Sequence, residues 1–313
     1  MKFRNTLVAA AMTLATGFGS AQAEDKWYPS KWGADDQLGS FNMNGPERTL
    51  EAAKLIKTGK TYRLGIETSF KTPSYPPRFF HLTVLTPNQG QYQALGDNKF
   101  NFADDIIAGW MGSGSQLDGL GHAAIDDVYY NGKRSAEFIR ADGLTMFGLH
   151  NIPPVVTRGV LIDLQACKGK MLVEGEVITP QDIKDCAAKQ QTEIRKGDVV
   201  LLNTGWISLL GQDDARFGKG EPGIGSEGAK YLAALDVMAV GADTWGLEVL
   251  PGEKKNILFP VHQELLTKAG IYILENMDTR ELAKDKAYEF MFVLGAARMT
   301  GSVQMIINPI AIR

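Results

Sequence analysis

The chain has 313 residues, 44% of them hydrophobic, with 33 basic and 36 acidic side chains and a formal net charge of −3. No Lys/Arg run or basic stripe breaks that near balance, which argues against nucleic acid and anionic membranes as partners. Length and apolar content suffice for one large domain or two small ones, and no internal repeat, low-complexity tract or Ser/Gly/Pro linker divides the chain.

The first 23 residues read as an export signal. Lys2 and Arg4 form the positive start, Leu7 to Phe18 the apolar middle, and Ala21-Gln22-Ala23 a small-x-small cleavage site. That apolar middle is too short to span a bilayer, and nothing later reaches the length of a membrane span. The expectation is cleavage after Ala23, leaving a soluble periplasmic domain over residues 24–313. Loss of Lys2 and Arg4 then leaves 31 basic against 36 acidic residues, a net charge of −5.

Helical spacing marks 48–57, 180–191 and 226–235, with Pro180 placed at a helix start. Extended segments are Tyr62–Ile66, His81–Leu85, Val155–Asp163, Val199–Thr204, Val237–Ala242, Ile271–Glu275, Phe290–Val293 and Val303–Ile307. Several are near-continuous apolar runs, as strands buried on both faces require. In the second half helices fall between strands, which predicts a mixed α/β domain with a sheet-rich core. Loops near 73–78 and 86–105, rich in Pro, Asn, Gly and Asp, are expected at the entrance to a pocket.

Cys167 and Cys186 are the only cysteines. They either close a disulfide, as an oxidising compartment permits, or stay buried thiols. No further Cys or nearby His gives them zinc spacing.

The segment Gly112-Ser113-Gly114-Ser115-Gln116-Leu117-Asp118-Gly119-Leu120-Gly121-His122 concentrates the chemistry. Its glycines allow tight turns and close backbone approach. Gln116 and Asp118, two apart on an extended segment, share a face. A Gly-Leu-Gly turn then brings His122 back toward them. Such a cluster suits a metal centre or a hydrolytic site.

Of the remaining histidines, His262 opens a helix after Phe259-Pro260-Val261, His81 lies in an apolar strand as a structural residue, and His150 either lines the pocket or satisfies a loop group. Glu275 ends the apolar strand Ile271–Leu274, where a carboxylate is costly without a partner. Taken singly, His262 and Glu275 read as a helix-start histidine and a turn cap. Asp118, His122, His262 and Glu275 together form a mixed N/O set suited to Zn²⁺, Mn²⁺ or Fe²⁺. Trp32, Trp110, Trp206 and Trp245 are expected in the core, with Trp110 near enough to the motif to stack on a flat ligand. Asp104 and Asp105 read as a solvated loop, and Asp243 as a turn anchor.

From Trp32-Gly33-Ala34-Asp35-Asp36-Gln37-Leu38-Gly39, through the Gly112–His122 segment and Tyr129-Tyr130-Asn131-Gly132, the chain resembles the bacterial cyclase family of metal-dependent hydrolases. Kynurenine formamidase and isatin hydrolase are members. Thr157–Asp163, Lys196–Trp206, Gly241–Trp245, Phe259–His262 and Leu274–Asp278 extend the resemblance in order over nearly the whole mature chain.

The resemblance implies a swivelling β/β/α fold in a single domain and a homo-oligomer in which neighbouring subunits contribute to the pocket. Formamidase-type members carry His-x-Gly-Thr-His-x-Asp-x-Pro-x-His. On this chain the first His falls at Gly112, the second at Gln116, the Asp at Asp118 and the last His at His122. A later His and Glu fall at His262 and Glu275. Two ordinary ligands are therefore absent.

What remains implies one metal site from Asp118, His262 and Glu275, with Gln116 as a fourth ligand and His122 as acid/base. Its carboxylate-rich character tilts the metal from zinc toward manganese. The expected function is a metal-dependent hydrolase that opens an amide or ester bond, linear or cyclic, of a small molecule by activating water at the metal. The arylformamidase reaction itself is not expected. The alternative is a periplasmic small-molecule binding protein without a catalytic metal. A metal-free hydrolase using Ser113 or Ser115 is a third reading, but the chain has no Gly-x-Ser-x-Gly elbow.

Overall fold

The computed structural model describes residues 26–86 and 94–313, so the proposed export signal lies outside the described residues. A mixed nine-stranded sheet organises them. Its order is Thr61–Arg63, Ile310–Ile312, Glu289–Leu294, Val155–Asp163, Val199–Asn203, Ala239–Ala242, Tyr272–Glu275, Gln116–Asp118 and Gln304–Ile306. The four strands from Val155–Asp163 to Tyr272–Glu275 run parallel, and antiparallel strands extend the sheet on both sides. The mixed α/β, sheet-rich fold expected from the sequence is the fold observed.

Period-2 alternation assigns the side chains to two cores. Val160, Ile162, Val200, Leu202, Val240 and Ile273 face helices, where they meet Ile183, Leu232, Val261 and Leu265. Leu161, Val199, Leu201, Leu274 and Leu117 face the other way, onto Phe41, Tyr130, Phe138, Phe290 and Phe292. Both faces are covered, which is why these strands read as unbroken apolar runs.

The helices lie close to their sequence-predicted positions, at Pro46–Ala53, Pro180–Lys189 and Ser226–Ala234. The second starts with Pro180 and a reciprocal cap: Asp182 N donates to Thr179 Oγ1 at 3.1 Å, and Thr179 N donates to the Asp182 carboxylate at 2.8 Å. A disulfide joins Cys167 in the preceding helical turn (Leu164–Lys168) to Cys186 in this helix.

Other expectations are corrected. The 86–105 loop ends inside a strand: Asp104–Gly109 pairs with Phe80–Leu85 as an antiparallel ribbon, so Asp104 and Asp105 belong to a strand. His81 is exposed on that ribbon and is no core residue. Of the four tryptophans, Trp206 alone is fully buried, whereas Trp32 and Trp110 are exposed. His150 accepts a hydrogen bond from Gly301 N at 3.0 Å, so it fastens a loop. Among the described residues no helix is long and apolar enough to cross a membrane.

Candidate metal centre

The Gln116–Asp118 strand lies between two antiparallel neighbours, and its register builds the site. Gln116 stands opposite Glu275 on one side, and Asp118 stands opposite Gln304 on the other. With two-residue periodicity these four polar side chains share one face at the end of an otherwise apolar sheet. The approach to the strand is fixed by Gly114, whose φ of +71° puts it in the left-handed region. Its carbonyl accepts from Asn276 Nδ2 at 2.8 Å. Ser115 Oγ donates to Asn276 O at 2.6 Å and accepts from Ile66 N at 2.8 Å. Ser115 is thus a strut. Ser113 Oγ is buried with no hydrogen-bond partner among the described residues, so neither serine is paired with a base.

Asp118 is fully buried. Its Oδ1 accepts from Gln304 Nε2 at 2.7 Å and from Gln116 Nε2 at 3.1 Å. Its Oδ2 is buried without a hydrogen-bond partner. That oxygen lies 3.6 Å from His262 Nε2 and 3.9 Å from His122 Nε2. Asp118, His122 and His262 each offer an atom within 4.8 Å of the others, a group able to hold a metal ion. Glu275 Oε1 adds a fourth donor 3.3 Å from His262 Nε2.

His262 is seated by the turn Pro260–His262, after Phe259 in a left-handed conformation. Its Nδ1 lies 2.6 Å from Glu248 Oε1, and the same carboxylate accepts from the backbone nitrogens of Val261 and His262. A proton held at Nδ1 leaves Nε2 to face Asp118 and Glu275, the usual way a carboxylate orients an imidazole ligand. Gln116 Nε2 donates to Glu275 Oε2 at 2.5 Å as well as to Asp118, so as seated its amide bridges the two carboxylates.

The electrostatics follow from the crowding of acids in a dry place. Burial works to raise Asp118, but the His122 and His262 imidazoles overcome it and hold the carboxyl at about 2. Burial, then the charge of Asp118, push Glu275 up to about 7. Burial opposes a charge on His262, yet Asp118, Glu248 and Glu275 raise it well above the ordinary histidine value. His122 is lowered by burial, against the attraction of Asp118. Glu221, fully buried near Trp245, is raised well above a normal carboxyl by burial and by Glu275. A divalent cation is the partner this set lacks. It would satisfy the orphaned Asp118 oxygen and offset the repulsion between Asp118 and Glu275, so the residues fit a metal.

A cavity of about 360 Å³ opens onto these groups, with Gln116, His122, His262 and Glu275 among its lining. Tyr75, Arg78, Trp245 and Phe259 also line it, so the 73–78 loop does reach the pocket. Sequence reasoning missed Glu248, Gln304 and Arg78. Gln304 had a signal, a lone amide in an apolar strand; Glu248 and Arg78 had none, since only the fold brings them near the motif.

Fold and site define a mixed α/β protein with a buried carboxylate–imidazole centre suited to a divalent metal. The chain matches the family described as putative cyclase over residues 62–249, and it belongs to that family. A crystal structure described as a novel cyclase is similar at a TM-score of 0.83 and 35% identity, covering 90% of this chain and 98% of that one. Isatin hydrolase A from Ralstonia solanacearum shares the fold at a TM-score of 0.62 and 17% identity, over 81% of this chain and 92% of that one. Isatin hydrolase A from Labrenzia aggregata, bound to benzyl benzoate, does so at 0.59 and 16%, over 83% and 94%. No curated protein matches the sequence.

Proposed function

We propose that this chain is a metal-dependent hydrolase that opens an amide or ester bond, cyclic ones included, in a small molecule. The observation that carries the reading is the buried, unpartnered Asp118 Oδ2 facing two imidazoles that line a cavity. Family membership and the isatin hydrolases of the same fold support it.

Asp118, His262 and Glu275 would hold the cation, and Mn²⁺ or Zn²⁺ suits them, with the two carboxylates favouring manganese. When bound, the metal supplies Lewis acidity toward a carbonyl oxygen and lowers the pKa of water. Glu248 fixes the His262 tautomer. Gln116 and Gln304 hold the Asp118 carboxylate in place through Oδ1. His122 lines the cavity, where its Nε2 would take a proton and return it to the leaving group; burial lowers its imidazole pKa against the attraction of Asp118.

We further propose a periplasmic location, from the export signal read at residues 1–23, and a homo-oligomer. The Phe80–Leu85/Asp104–Gly109 ribbon supports the latter, since it exposes Leu82, Val84 and Ile107 on one face and Ile106 on the other.

The test is hydrolysis of a panel of cyclic imides, lactams, lactones and N-formyl anilines. Activity lost on chelation and restored by Mn²⁺ or Zn²⁺, and lost in His122→Ala with metal retained, is the expected result. Activity indifferent to chelation would overturn the reading. One observation favours a second reading, a binding protein without metal. The Gln116 amide already bridges Asp118 and Glu275, which lessens the need for a cation. That reading predicts no metal uptake and tight binding of an unaltered ligand.

A further inference from the structure

Among the side chains lining the cavity, Arg78 is the one Lys or Arg. Its Nη1 donates to Gly112 O at 3.0 Å, and among the described residues no carboxylate forms a salt bridge with it. A guanidinium carries five N–H donors in a planar fork, so most of that fork remains for a ligand. Gly112 is what admits it. A Cβ at position 112 would stand 2.5 Å from Arg78 Nη1, 2.9 Å from its Cζ and 2.9 Å from Gln304 Nε2. Any side chain there displaces the guanidinium or the amide that clamps Asp118.

The same cavity has an aromatic wall. Tyr75 and Trp245 lie with ring centroids 5.5 Å apart and planes tilted by 31°, and Phe259 meets Tyr75 edge-on at 6.2 Å. A fixed cation, flat apolar surfaces and about 360 Å³ together select a small planar molecule with one anionic group. A carboxylate matches the fork in shape as well as charge.

We propose that Arg78 is a specificity-determining residue that binds a carboxylate on an aromatic substrate, a group other than the bond that is cleaved. This deepens the hydrolase reading and rests on it. Gly112 is then the residue that positions the Arg78 guanidinium by leaving room for it.

The test is titration calorimetry on Mn²⁺-supplemented protein with indole-3-acetate and its neutral counterpart indole-3-acetamide. The carboxylate should bind about tenfold more tightly, as a charge-assisted pair implies. Arg78→Gln should bring the two ligands within about threefold, and Arg78→Lys should keep part of the preference. Gly112→Ala, which retains Arg78 but crowds its seat, should reduce the preference as well. Thermal melting confirms that each variant is folded. An unchanged preference in Arg78→Gln overturns the proposal, as does failure of the wild type to bind either ligand. A preference lost in Asp118→Asn but kept in Arg78→Gln places the carboxylate at the metal centre and also overturns it. Binding is read without turnover. Arg78-dependent binding in a protein that neither holds metal nor hydrolyses would therefore overturn the hydrolase reading alone.

Discussion

Two fully buried aspartates, Asp243 and Asp118, differ in what surrounds them. Asp243 follows the Ala239–Ala242 strand, and both of its oxygens are served by the protein. Oδ1 accepts from Thr204 N at 2.8 Å and Thr204 Oγ1 at 2.7 Å, and Oδ2 accepts from Ile207 N at 3.4 Å. Asp118 has amide donors on Oδ1 only, and its Oδ2 faces imidazoles across gaps too long for hydrogen bonds. Burial is the same in both. Partner inventory separates the two: one carboxylate ties down a turn, and the other leaves a buried oxygen without a donor, a cost that a bound cation would offset.

The largest effect should come from Asp118→Ala. Removing the open carboxylate should abolish metal retention and lower turnover by on the order of 10³-fold, while thermal stability stays near wild type, since relief of the repulsion on Glu275 offsets the loss of an acceptor for the Gln304 and Gln116 amides. A large fall in melting temperature would instead make Asp118 a structural residue like Asp243.

On the satisfied side, the Cys167–Cys186 disulfide closes a short loop beside the sheet and should contribute roughly 3 kcal/mol. The Cys167→Ser/Cys186→Ser double variant should show that loss in urea unfolding, with metal content unchanged.

Asp243 gives a pH signature of similar size. Burial pushes its carboxyl up to about 6 despite the Thr204 and Ile207 donors. The folded protein therefore binds this proton more tightly than the unfolded chain does. The associated stability is present below about pH 4 and is lost as pH rises to about 6, a fall of roughly 3 kcal/mol. Asp198, also pushed up to about 6 by burial against the pull of Arg158, acts in the same direction. Melting temperatures between pH 4 and 7 should fall less steeply in Asp243→Asn, and an identical slope would remove Asp243 from the account.

The smallest change is Glu248→Gln. It should weaken metal affinity by about 10- to 100-fold with the fold intact, because the amide no longer charges the His262 Nδ1 contact. Equal affinity in both proteins would mean that His262 needs no such partner.

Much of this contrast was legible before folding. Asp118 and Gln116 share a face because they are two apart on an extended segment, and the Gln116–Asp118 strand bears that out. Asp243 reads as a turn anchor from its sequence position and is one. The apolar runs locate the central strands to within two residues or so, because both faces of the sheet are covered. The carboxylate that accepts from His262 was not legible. Glu248 reaches His262 from a separate irregular segment, and no periodicity encodes that approach. Nor does sequence show which groups the Gln116 amide meets. Gln116 donates to two carboxylates because the register sets Glu275 opposite it, a fact of strand pairing. The tryptophans mislead for a related reason: bulk predicts burial, whereas Trp110 ends an exposed ribbon and Trp245 lines the cavity.

The central claim is that Asp118 is held open for a cation, and metal content tests it most directly. Protein purified without chelators or a histidine-rich tag would be analysed by elemental mass spectrometry, beside its Asp118→Ala and Asp243→Asn variants. About one equivalent of manganese or zinc in the wild type and in Asp243→Asn, with none in Asp118→Ala, is the predicted result. A wild-type protein that holds no metal even after incubation with Mn²⁺ and Zn²⁺ would contradict it.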